Sequence, residues 1–148
     1  MMGIPQDIHA RLVTALGPDI PVLLPEQQRE PLEAAPIDAQ GRPMVGGGER
    51  GLGAYLRQHP QGYVQIEPPV PLSSDGLVGN LWVTVAAIHG SVGGAAELGQ
   101  QVYRALCGWP WLPGPYREAT PAQPEQLRDG VWMLRRTYAA NTLDGIAG

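Results

Sequence analysis

Few residues in this chain are of a type and spacing that could do chemistry. Ser91 sits in His89-Gly90-Ser91-Val92-Gly93, close to the strand-to-helix turn that presents a serine nucleophile. That turn needs glycine two residues before the serine, and His89 stands there instead. Two positions along an extended strand do not by themselves bring the imidazole to the hydroxyl, and no particular carboxylate offers to orient it. The Gly90–Gly94 loop lies between a strand and a helix, where backbone amides can cradle a phosphate. It lacks the first glycine spacing of the dinucleotide fingerprint and a matching ribose-binding acid. A tight strand-to-helix turn explains its glycines as well.

The remaining reactive types are scattered. His9, His59 and His89 lie far apart without paired spacing, so metal binding has no support. Cys107, the single cysteine, closes a helical pattern and reads as a small buried hydrophobe. It excludes an intrachain disulfide and a multi-cysteine zinc site. All ten basic residues are arginine, and the absence of lysine removes Schiff-base chemistry and the phosphate-binding P-loop. No catalytic, cofactor-binding or metal-binding residue is assigned, no cofactor is expected, and the chain reads as a protein that is not an enzyme.

The chain has 148 residues, 43% of them hydrophobic and 16% charged, which fits one globular domain spanning 1–148. A net charge of −4 argues against a duplex-binding domain. No apolar run approaches the roughly 20 residues a membrane span needs. The first residues are neither basic nor followed by a signal-type stretch, so synthesis in the cytoplasm without secretion is expected.

The elements that must position these residues follow from period and punctuation. Ile4, Ile8, Leu12 and Leu16, joined by Val13, form one face of a helix that Gly17-Pro18 ends. Ile20–Leu24 reads as a short edge strand between prolines. Residues 25–60, punctuated by Pro25, Pro31, Pro36 and Pro43 and then by Gly46-Gly47-Gly48, have no sustained period. They are expected to form an extended arm lying against a neighbour, with a short helix over Gly51–Gln58. Gly62–Glu67 alternates as a half-buried strand, and a polar turn follows at Ser73–Gly76. Residues 79–89 are apolar on both faces, which predicts a central strand covered on both sides. Ala95–Leu106 is a second amphipathic helix, with Leu98, Val102 and Leu106 on one face. An extra strand is possible near Tyr116–Ala119, and Val131–Tyr138 alternates as the last one before a weakly patterned tail, 139–148. The fold class is α+β: a mixed, mainly antiparallel sheet of about four to five strands, two helices packed on it, and a long Pro/Gly-rich arm.

Aromatic and arginine side chains are the residues most enriched at protein contacts. Trp109, Trp111 and Tyr116 on a proline-stiffened loop read either as core lids or as interface anchors. Arg135 and Arg136 point to opposite faces of the last strand, beside Trp132 and Tyr138. With Arg50, Tyr55 and Arg57 of the arm, these make up the candidate interface set.

Residues 63–107 resemble the tail terminator (tail-completion) proteins of long-tailed bacteriophages and gene transfer agents. The resembling elements are Tyr63-Val64-Gln65-Ile66, a polar turn, the long strand Leu81–Ile88, the small-residue loop His89–Gly94, and the helix from Ala95 through Val102-Tyr103-Arg104 to Leu106. The closing strand Gly130–Tyr138 fits too, so roughly two-thirds of the chain is covered. The 25–60 segment is longer and richer in glycine than that pattern.

The resemblance implies a structural virion protein at the head–tail junction, forming a homo-oligomeric, usually hexameric, ring on the head-proximal end of the tail tube. Its partners would be other copies of itself, the tail tube protein and the head–tail connector or stopper. DNA would pass through without specific binding, and no membrane is involved. The alternatives are another neck or connector completion protein and, in a different class, a small nucleotide- or ligand-binding enzyme using the Gly90–Gly94 loop.

Overall fold

Leu81 to Ile88 is too long and too apolar to serve as a sheet edge, and in a computed structural model of the chain it runs through the centre of one. The structure describes residues 3–34, 40, 42, 51–74, 79–109 and 112–141. In chain order these form α1 (Ile4–Leu16), β1 (Val22–Leu23), 3-10 turns at Pro25–Gln27 and Pro31–Glu33, α2 (Leu52–Gln58), β2 (Tyr63–Ile66), β3 (Val70–Ser74) and β4 (Gly79–His89). Then come α3 (Val92–Cys107), β5 (Gly108–Trp109), β6 (Leu112–Pro113), β7 (Arg117–Thr120), β8 (Glu125–Arg128) and β9 (Val131–Asn141).

Among the described residues the main sheet has seven strands, in the order β1-β2-β4-β9-β7, with β3 also on β4 and β8 also on β9. Only the β1–β2 pair is parallel. The class is α+β with a mixed, mainly antiparallel sheet, as the sequence leads one to expect, but the strands outnumber the expected four to five. The axis is the β4–β9 pair, in unbroken register from Asn80–Asn141 to His89–Trp132. Each of these eleven-residue strands is long enough to pair with two short partners end to end on its other side.

The pleat sends alternate residues to opposite faces. Val83, Val85 and Ala87 of β4, Val64 and Ile66 of β2, and Tyr138 and Ala140 of β9 face α1 and α3. They bury Ile4, Ile8 and Leu12 of α1 and Leu98, Val102 and Leu106 of α3. Val13 does not belong to the buried stripe of α1, because the i, i+4 row curves away from it and leaves it 45% exposed.

The opposite, outer face is covered over only half its length. There Leu52, Tyr55 and Leu56 of α2 pack on Leu23, Tyr63, Ala86, Ile88 and Val131. Among the described residues no helix packs on the other half, so the expected two-sided cover of β4 fails at Trp82, which is 39% exposed.

Of the 25–60 segment, the described helix α2 packs on the chain's own sheet. The Gly51 N–H donates to the Ala34 carbonyl at 2.7 Å. That bond ties Ala34, after the second 3-10 turn, to the start of α2.

Candidate interaction surface

The strand-to-helix turn at 89–94 has definite geometry. Ser91 is the N-cap of α3, and its Oγ accepts the Gly94 N–H at 3.0 Å. His89 Nδ1 accepts the Ser91 N–H at 3.1 Å and lies 3.2 Å from Ser91 Oγ. The imidazole does reach the hydroxyl, which the spacing alone does not ensure, because the chain turns sharply after β4.

An Nδ1 that accepts a backbone N–H carries no proton, which places the proton of the neutral ring on Nε2. The cap is built around the ring: a Cβ on Gly94 would collide with it, and one on Gly62 would come within 3.1 Å of it. Ser91 itself is ordinary extended backbone at φ −138°, ψ 154°, not a strained elbow. Its hydroxyl is engaged in starting the helix.

Beside this turn lies an open pocket of about 270 Å³, lined among others by Ile20, Pro60, His89, Glu97, Leu98 and Gln101. Ser91 is not part of its lining. Among the described residues no three His, Cys, Asp or Glu side chains cluster in a way that would hold a metal ion. No helix among them is long and apolar enough to cross a membrane. Burial and the nearby Glu118 carboxylate push the Cys107 thiol up to about 11, so it is protonated at neutral pH.

The candidate interface residues divide sharply. Tyr138 and Tyr116 are 0% and 1% exposed, and Tyr55 is 8% exposed, so all three are buried within the chain. The Tyr116 hydroxyl donates to Asp7 Oδ2 at 2.7 Å, tying the proline-rich loop to α1. That is the core-lid reading of the loop. Tyr55 packs edge-on against Tyr63 at 5.0 Å and tilts against His59 at 4.5 Å.

Arg136 faces inward under α3, with Nε 2.8 Å from Glu118 Oε2 in an ion pair not aligned as a hydrogen bond. Its Nη1 donates to the Gly99 carbonyl at 3.3 Å, and the guanidinium lies 5.0 Å over the Tyr103 ring. Arg135, on the outer face, donates to both Glu67 carboxylate oxygens at 2.8 and 2.7 Å. Trp132 is half-buried, and Arg57 is exposed and has a partner. Arg50 and Trp111 lie outside the described residues; of Trp109 the structure describes the backbone in β5.

The surface that stands out was not in that set. On the bare half of the outer face, one residue per strand lines up across the sheet. Val70 of β3 is opposite Trp82 of β4, Trp82 is opposite Ala139 of β9, and Ala139 is opposite Arg117 of β7. Val70 is 57% and Trp82 39% exposed, and Arg117 is exposed. Of these, tryptophan and arginine are the types enriched at protein contacts. Sequence reasoning missed the row because Val70, Trp82 and Arg117 are neighbours only through the pairing register.

No protein-family model matches the sequence, and no curated protein matches it. Among solved structures, a chain of the "Virion of native gene transfer agent (GTA) particle" superposes with a TM-score of 0.43 at 14% identity. The superposition covers 90% of this chain and 82% of that one.

Proposed function

We propose that this chain is a structural virion protein that works by assembly. In this reading it forms a homo-oligomeric ring, of hexameric type, on the head-proximal end of a phage-like tail tube. The ring ends tube polymerisation and offers a surface to the head–tail connector or stopper. The observation that carries the assembly half is the exposed Val70–Trp82–Ala139–Arg117 row, the uncovered half of a sheet face whose other half is sealed by α2. The tail-end half rests on the resemblance of residues 63–107 and 130–138 to tail terminators. For the catalytic alternative, His89 and Gly94 line the neighbouring pocket, but the Ser91 hydroxyl caps α3 and is not in that lining.

The test is to mix the purified protein with the tail tube protein of the same particle and image the product. Rings seated at tube ends, and tubes of uncontrolled length when this protein is omitted, are expected. A protein that never associates with tubes overturns the terminator reading. Binding to portal or connector subunits in place of tubes assigns it to the neck instead.

A further inference from the structure

The bare row and the pocket are two chemically complementary surfaces of one chain, and each holds an unanswered charge. Arg117 has no recorded intrachain partner among the described residues. Arg11 pairs with Asp7, Arg29 with Glu33, Arg135 with Glu67 and Arg136 with Glu118. Arg42, Arg57, Arg104 and Arg128 are also engaged. Glu97 is an exposed carboxylate with no recorded partner, set in the wall of the 270 Å³ pocket. Around it Ile20, Pro60 and Leu98 supply apolar surface, and Gln61 and Gln101 supply amide oxygens. An arginine fits such a lining, because its aliphatic stem lies along apolar walls while the guanidinium forks onto a carboxylate and neutral acceptors.

The two surfaces also differ in place. Trp82 is on the outer face near the start of β4, whereas His89, at the end of β4, borders a pocket on the α3 side. Seven residues of extended strand separate them, roughly 24 Å at about 3.4 Å per residue. Distinct patches at opposite ends and on opposite faces cannot satisfy each other within one copy. They also do not make the self-complementary contact of a two-fold dimer. A contact between them would run head to tail, which closes into a ring when the rotation between copies allows it.

We infer that copies of this chain join head to tail, with Arg117 of one copy entering the Glu97 pocket of the next and its Val70–Trp82–Ala139 row covering the pocket rim. This inference rests on the ring-forming reading above and names the contact that builds the ring.

Sedimentation of the protein alone, without tube protein, tests it. The wild type is expected to associate beyond the 15.8 kDa monomer as concentration rises. Arg117→Glu and Glu97→Arg should each weaken association about tenfold or more. The double variant carrying both should recover most of that loss, and Trp82→Ala should weaken association while circular dichroism and melting stay those of the folded subunit. A wild type that stays monomeric up to about 1 mM overturns the inference. So does association indifferent to both charge reversals, or a double variant no better than the worse single one. Association that follows these substitutions in a protein that ignores tail tubes leaves the contact standing and removes only the terminator reading. Rings that cap tubes yet ignore the charge reversals do the opposite.

Discussion

At the residue scale, the glycines of the 89–94 turn are separable by what their missing side chains would meet. A Cβ on Gly94 collides with the His89 ring, whereas one on Gly93 finds nothing within 4 Å. Gly94→Ala must swing the imidazole out and break its bonds to Ser91, a cost of about 1–3 kcal/mol. Gly93→Ala, its neighbour in the first helical turn, only restricts the unfolded chain and should stabilise by about 0.4–1 kcal/mol. Gly62→Ala should be worst, above roughly 3 kcal/mol, because Gly62 has φ +86° and its Cβ would run into the Ile88 carbonyl, a backbone atom that cannot swing away. Urea midpoints of the three variants give the order directly.

A second prediction at this scale concerns Cys107. Its thiol is held up at about 11, against an ordinary value of 9.0, first by burial and then by Glu118. The neutral form belongs to the fold, so the stability it contributes is fully present below pH 9.0 and lost as pH climbs from 9.0 toward about 11. A Cys107→Ala variant should lose less stability than the wild type over that interval. In the native wild type the thiol should resist a thiol reagent at pH 8 and react once unfolded. Rapid reaction of the native thiol at pH 8 contradicts this assignment.

At the scale of elements, the loop after α3 is held by one long-range bond. Gly108, in the left-handed region at φ 72°, ends the helix, and the chain folds back so that the Gly114 and Tyr116 N–H groups donate to the Cys107 and Leu106 carbonyls. Tyr116 then enters the core with its hydroxyl on Asp7. Tyr116→Phe keeps the ring and removes that bond to a charged acceptor. It should cost about 1–3 kcal/mol in chemical denaturation and leave the far-ultraviolet circular dichroism unchanged. A variant as stable as the wild type would mean that packing alone holds the loop.

The same scale shows how much of the fold was legible. α1, α3, β4 and the alternation of β9 stand in the sequence, because each has enough residues to display a period. β3 (VPLSS) and β8 (EQLR) do not: one carries a proline, and the other is exposed along its whole length. They are strands only because β4 and β9 are long enough to template a second partner each, which is a property of the neighbours. Part of the interface set is buried within the chain for a related reason. Tyrosine and arginine are favoured both in contacts and as amphipathic core residues, so residue type could not separate the core positions Tyr55, Tyr116, Tyr138 and the mostly buried Arg136 from the exposed Trp82–Arg117 row, which depends on sheet register.

At the scale of the whole molecule, charge decides how the protein meets nucleic acid. Association with duplex DNA draws on arginine or lysine clusters that displace counterions from the phosphates. This chain has ten arginines against fourteen acidic residues. Every described arginine except Arg117 is engaged within the chain, and the proposed contact between copies would engage that one too. In the proposed ring, such chains would present passing DNA with a mildly repulsive wall. The isolated protein should therefore bind duplex DNA no more tightly than about 10⁻⁴ M at 0.15 M salt, the weak end of non-specific binding. Gel-shift or anisotropy titration reads this directly, and micromolar affinity with a steep salt slope would refute it. Arg117→Glu sharpens the measurement, since it should weaken self-association while leaving the already weak DNA binding where it was. If the substitution abolished DNA binding instead, the row across the outer face would be a nucleic-acid surface and not the seam between copies.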